Sequence, residues 1–86
     1  MASYELVFKK SVAKDLRAIP QQDVRRILQK VRALAGDPRP PGSEKLSGLE
    51  RYRIRQGIYR IVYEIEDTRL VVLVVKVAHR KDVYRP

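Results

Sequence analysis

The order of apolar and polar positions divides this chain into two helix-like and four strand-like stretches. Tyr4-Glu5-Leu6-Val7-Phe8 alternates, with Tyr4, Leu6 and Phe8 on one side, which predicts a short strand with one buried face. Val12, Leu16 and Ile19 then recur at helical spacing, with Ser11 as the expected N-cap and Pro20 as the stop. A longer helix is predicted from about residue 21 to 35. Its Val24, Ile27, Leu28, Val31, Leu34 and Ala35 form one apolar stripe, while Arg25, Arg26, Lys30 and Arg32 fall mostly elsewhere. Gly36 is the expected left-handed C-cap, and Asp37-Pro38 prevents continuation.

Residues 37–43, Asp-Pro-Arg-Pro-Pro-Gly-Ser, read as a connecting loop too short to be a domain linker. Residues 45–49 lead into a sheet, with Leu46 and Leu49 as anchors. Three strands are predicted at roughly 51–56, 58–66 and 69–78, with a hairpin turn at Glu66-Asp67-Thr68. Tyr59, Ile61, Tyr63 and Ile65 share a face of the middle strand, opposite Arg60, Val62 and Glu64. The run Leu70 to Val75 is apolar on both faces, as in a central or doubly covered strand. The order β-α-α-β-β-β predicts a single α+β domain over residues 1–86: a helical hairpin on one face of a mostly antiparallel, four-stranded sheet. No helix remains for the other face. Arg51, Arg53 and Arg55 alternate with Tyr52 and Ile54 and so line that open face, and whether Arg60 joins them depends on the register across Gln56-Gly57.

Charge sharpens this picture. Nineteen lysines and arginines against ten acids give a net charge of +9, more than solubility requires. Such an excess is retained for an anionic partner, nucleic acid first, an acidic protein next, a membrane surface last. The chain has no cysteine and one histidine, which excludes disulfides, thiolate zinc sites and a histidine-rich metal cluster. With no signal-like segment and no apolar run long enough to span a bilayer, a cytoplasmic protein without metal or cofactor is expected.

Arginines held on a rigid strand grip phosphate oxygens with two N–H groups at once and stabilise charge developing on phosphorus. RNA is cut when its 2′-hydroxyl attacks the adjacent phosphorus. A protein assists by aligning the nucleophile, removing its proton, stabilising negative charge and protonating the leaving 5′-oxygen, with no metal required. Arginine is a poor base, so proton transfer points to His79 and Tyr84, which with Arg80 fall just after the last core strand. His79 can equally be a strand-end residue bonded to backbone, and Tyr84 can donate a proton, stack on a base or pack. The acids Glu44, Glu50, Glu64 and Glu66 are weak candidates, since no pair is clearly directed at the basic face.

Three blocks carry a family resemblance: Lys45-Leu46-Ser47-Gly48-Leu49; Arg51 through Tyr63, reading RYRIRQGIYRIVY; and Val77-Ala78-His79-Arg80-Lys81-Asp82-Val83-Tyr84. Together they resemble the RelE branch of the RelE/ParE toxin superfamily. The resemblance implies a RelE-like fold and a type II toxin that enters the ribosomal A site and cleaves mRNA there by 2′-hydroxyl attack. It implies catalytic roles for Arg53, Arg55, Arg60, Arg80 and Tyr84. From the basic strand and the basic tail themselves, Arg51, Lys81 and Arg85 are expected to contact RNA along with Arg53 and Arg55. The resemblance also implies a cognate antitoxin as partner, with DNA met only through the toxin–antitoxin complex. The best-known members carry lysines in place of Arg53 and Arg55. An arginine cannot replace a lysine as base, which raises the claim of His79, a type some relatives use. The alternative is a ParE-like inhibitor of DNA gyrase without nuclease chemistry, which has no need of the Arg80…Tyr84 pair.

Overall fold

The computed structural model describes residues 3–46 and 50–79. Its elements are β1 (Glu5–Phe8), α1 (Lys10–Arg17), α2 (Gln21–Ala33), β2 (Glu44–Lys45), β3 (Arg51–Gln56), β4 (Tyr59–Glu66) and β5 (Val71–His79). Among the described residues the sheet has five strands in the order β1-β5-β4-β3-β2, one more than the alternation alone predicts. The added strand is short: Glu44 and Lys45 pair antiparallel with Arg53 and Tyr52. β2 to β5 form an antiparallel meander and β1 lies parallel to β5, so the helical hairpin carries the chain from β1 at one edge of the sheet across to β2 at the other.

The helices cover one face. Val12 of α1 and Ile27 and Val31 of α2, with Leu34 just beyond it, are fully buried against Ile54, Ile61, Tyr63, Ile65, Val72, Val74 and Val77 of the sheet. Tyr4 and Leu6 pack at the margin of this core as their alternation predicts, whereas Phe8 is 41% exposed at the strand's end. β5 lies inside the sheet, between β1 and β4, in keeping with its apolar run. Only Val72, Val74, Val77 and Ala78 are buried in it, so one face of the strand carries most of the packing.

Two cap assignments are corrected. Lys9, not Ser11, occupies the N-cap of α1 and makes no side-chain cap bond; Ser11 lies inside the first turn. α2 ends at Leu34 in a right-handed conformation, and the left-handed glycines are Gly42 (φ 93°) and Gly57 (φ 61°) rather than Gly36. At Gly36 the amide bonds back to Ala33 at 3.3 Å, and Asp37 does the same, so a tightened last turn satisfies the carbonyl that a glycine cap would otherwise have taken.

Two polar groupings fix the ends of the sheet. Arg39 in the loop after α2 reaches Asp67 in the β4–β5 turn at 2.8 and 3.2 Å, donates to the Tyr52 hydroxyl at 3.0 Å and lies 5.2 Å from that ring's centre. The Tyr4 hydroxyl donates to the same carboxylate at 2.7 Å. Asp67 is thereby held down to a pKa of about 2, chiefly by the hydrogen bond from Arg39. Behind it, the Tyr63 hydroxyl donates to the Pro38 carbonyl at 2.8 Å in the interior, and burial pushes its pKa up to about 12. At the other end, beyond the reach of β1, Asp15 of α1 accepts from the Val77 amide at 3.2 Å and from Lys76 at 3.1 Å. A helix carboxylate thus takes an amide that β1 is too short to pair.

Candidate nucleic-acid interface

The hairpin of β3 and β4 builds the site. Gly57 supplies the left-handed turn, and the register Gln56↔Tyr59, Arg55↔Arg60, Ile54↔Ile61, Arg53↔Val62 runs without a bulge. Arg60 therefore sits directly opposite Arg55 on the face away from the helices, which resolves the register across Gln56-Gly57. The irregularity lies instead between β4 and β5 at Val62/Tyr63. Arg55 is exposed, Arg53 is half-buried, and Arg60 is only 7% exposed.

The face is less uniformly basic than the sequence implies. Arg51 donates through Nε to Glu64 on β4 at 2.7 Å, and Arg53 donates to Glu44 on β2 at 2.5 Å. Of the four acids set aside in the sequence because no pair was clearly directed at the basic face, Glu64 and Glu44 each bond one of its arginines. Glu44 is ionised more readily than an ordinary glutamate, first through its bond to Arg53, with further help from the charges of Arg60 and Arg55. The signal available in the sequence was the hairpin: an acid on β2 opposite an arginine on β3 is a favoured cross-strand pair, once Glu44 is seen to be in a strand.

His79 is not brought onto this face. It pairs with Tyr59 in the register, one residue beyond the Arg60↔Ala78 pair, so alternation turns both rings toward the helices. Their rings meet edge-on at 6.2 Å, and the Tyr59 hydroxyl approaches Asp23 of α2 at 3.4 Å. The imidazole lines a cavity with Ser11, Asp15, Ile19 and Tyr59 on the helix side. Arg80, Lys81, Tyr84 and Arg85 lie outside the described residues. Among the described residues no cluster of three or more histidines, cysteines or acids is arranged to hold a metal ion. No helix among them is long and apolar enough to cross a membrane.

What remains is a pair of facing arginines, Arg55 and Arg60, flanked by the Arg53–Glu44 ion pair. Comparison with known proteins bears on its use. The family model described as the ParE toxin of type II toxin–antitoxin systems matches residues 6–84. The chain belongs to this family. Within it, the toxin RelG of Mycobacterium tuberculosis is 28% identical over 86 residues, covering 95% of this chain and 97% of RelG. An arginine-to-alanine double mutant of Escherichia coli RelE, solved with an antitoxin RelB peptide, is 31% identical with a TM-score of 0.76 and covers 98% of this chain and 92% of its own. RelE of the Pyrococcus horikoshii RelE–RelB complex is 27% identical with a TM-score of 0.78, covering 91% and 96%. These relatives place the type II toxin in the RelE branch, and the helical hairpin on a mixed sheet is the RelE-like fold.

Proposed function

We propose that this toxin cuts mRNA held in the ribosomal A site by metal-independent attack of a 2′-hydroxyl on the adjacent phosphate, and that a cognate antitoxin restrains it. The single observation that carries this reading is the direct pairing of Arg55 with Arg60 on a face that neither α1 nor α2 covers. Two guanidinium groups anchored on adjacent strands can hold both non-bridging oxygens of one phosphodiester. They also stabilise the extra negative charge of the pentacoordinate transition state, without reorganising as it forms. Arg53 extends the grip along the backbone, and Arg80 and Tyr84 would complete the site from the chain's end. The relatives solved with RelB support an antitoxin partner, and the net charge of +9 suits both an acidic antitoxin and an RNA surface.

The test is purified toxin on ribosomes programmed with a defined mRNA, read by primer extension. In-frame cuts at the A-site codon, lost when the scissile nucleotide is 2′-deoxy, are the expected result. The family description names ParE, which keeps the gyrase reading as the competitor. Intact mRNA together with gyrase-dependent DNA breaks would replace the nuclease by that inhibitor.

A further inference from the structure

We propose that Lys76 is a further RNA contact of this site, exchanging Asp15 for an mRNA phosphate next to the one that Arg55 and Arg60 hold. The proposal rests on the nuclease reading and extends the site from β3 and β4 onto β5. Behind it stands a lysine that the sheet register sets on the arginine face while its ammonium is bonded around the sheet edge to a helix.

The irregularity between β4 and β5 puts Lys76 there. Tyr63 pairs with Val74 and Val62 with Lys76, so Val75 is one residue extra on β5. Strict alternation from Val72 and Val74 would send Lys76 toward the helices. The extra residue reverses the sense: Val77 enters the helix-side core with Val72 and Val74, while Lys76 and Ala78 take the arginine face. Lys76 thereby stands in one row with Val62, Arg53 and Glu44, and Ala78 in the next row with Arg60 and Arg55. Val62 and Ala78 are short and lie outside the helix-side core, so they form a low floor with Arg53, Arg60 and Lys76 around it. With strands about 4.8 Å and same-face rows about 7 Å apart, the backbones of Lys76 and Arg60 are separated by about 8 Å. An extended lysine can therefore meet a phosphate beside the one that Arg60 holds.

Two features let the lysine change partners. β1 pairs with β5 only as far as Val74, so no described strand flanks Lys76 on that side, and its side chain is 53% exposed. Asp15 keeps a partner when the lysine leaves: one oxygen accepts from Nζ at 3.1 Å, and the other accepts the Val77 amide at 3.2 Å. Charge then sets the direction of the exchange. In the free toxin Arg53 and Arg60 repel the ammonium from the open face, which favours Asp15. Phosphates bound there neutralise the arginines and attract the lysine themselves, against an ion pair that water already screens on the lysine side.

The experiment measures binding of toxin variants to ribosomes programmed with an mRNA that is 2′-deoxy at the scissile nucleotide, from 50 to 200 mM salt, with cleavage of the all-ribose mRNA beside it. A parent that leaves that mRNA uncut overturns the nuclease reading and the proposal with it. Given a cutting parent, Lys76→Met is expected to bind about tenfold more weakly, with a salt slope smaller by about one and kcat/KM lowered in proportion. Lys76→Arg should restore both. Lys14→Met removes the same charge from the helix side of the cavity that Lys76 and Asp15 also line, and should leave the slope as in the parent. Asp15→Asn keeps an oxygen for the Val77 amide but releases the lysine, so it should tighten binding about threefold, and only where Lys76 is present. Single methylphosphonate linkages, which carry no charge, locate the contact. At one of the two phosphates flanking the cleavage site such a linkage should cost the parent about tenfold more than it costs Lys76→Met. Equal slopes for Lys76→Met and Lys14→Met, tightening by Asp15→Asn that persists in Lys76→Met, or equal losses for parent and Lys76→Met at both flanking linkages would each overturn the proposal.

Discussion

Among the described basic residues of the open face Arg60 has the least room, at 7% exposed, and this changes how its substitution reads. A long stem buried against neighbouring strands contributes packing as well as charge, so Arg60→Ala removes both. Arg60→Lys keeps the charge and much of the stem but loses the planar fork that grips two oxygens. It is expected to melt within a few degrees of the parent yet cleave at least tenfold more slowly, a loss of about 1.4 kcal/mol in transition-state binding. Arg60→Ala should lose both melting temperature and rate; thermal melts beside single-turnover assays check the split. Asp67 gives the residue-scale counterpart for stability. Its folded pKa of about 2 lies below the ordinary 3.8, so its contribution is present above pH 3.8 and disappears as pH falls toward 2. Asp67→Asn should therefore lower the melting temperature at neutral pH and flatten its decline between pH 4 and 2. An unchanged acid limb in melts across that range would show that the Arg39–Asp67–Tyr4 knot does not contribute.

Each secondary element was legible to the degree that periodicity alone decides it. The stripe of α2 and the alternation of β4 emerge as read, because burial on one face is the physical cause of both patterns: Ile27, Val31, Ile61 and Tyr63 are all fully buried. β2 was not legible. Two residues are too few to show alternation, and what makes Glu44-Lys45 a strand is pairing with Arg53 and Tyr52 rather than any preference of its own. The candidate site inherits that gap, since the arginines were readable from spacing and the acid beside them was not. The face of His79 was hidden for a related reason: its closeness to Arg80 in sequence says nothing of which face it takes, and one residue of register turns it to the helix side. The Asp15 contact was invisible too, because it depends on β1 ending before β5 does. Asp15 is 14% exposed and serves both Val77 and Lys76, so Asp15→Ala leaves a strand amide short of its acceptor. A cost of about 1–3 kcal/mol is expected, measured by denaturant unfolding, with faster hydrogen exchange at the Val77 amide.

Across the whole molecule, the open face is graded from basic to acidic along the strands. Arg55 and Arg60 stand near the β3–β4 turn, Arg53 pairs with Glu44 one row in, and Arg51 pairs with Glu64 beyond that. At the far end Glu5, Glu64, Glu66 and Arg69 surround Val7, Val71 and Leu73 in a shallow cavity, with Arg69 held by Glu66 at 3.2 Å. Under the proposed function such a gradient would orient a phosphate backbone, because charge repels it from one end of the sheet and neutralises it at the other. Counterions released from RNA should therefore be charged to particular arginines, not to the net +9 as a whole. Arg55→Ala is expected to weaken binding to programmed ribosomes and to reduce the steepness of its salt dependence by about one unit of log affinity per log salt. Arg69→Ala removes the same formal charge from the acidic end and should leave that slope unchanged. Affinities measured from 50 to 200 mM salt for both variants decide the matter, with salt concentrations chosen for the strong dependence of phosphate contacts. Equal slopes for Arg55→Ala and Arg69→Ala would mean that the RNA responds to total charge and that the arrangement on the sheet does not direct it.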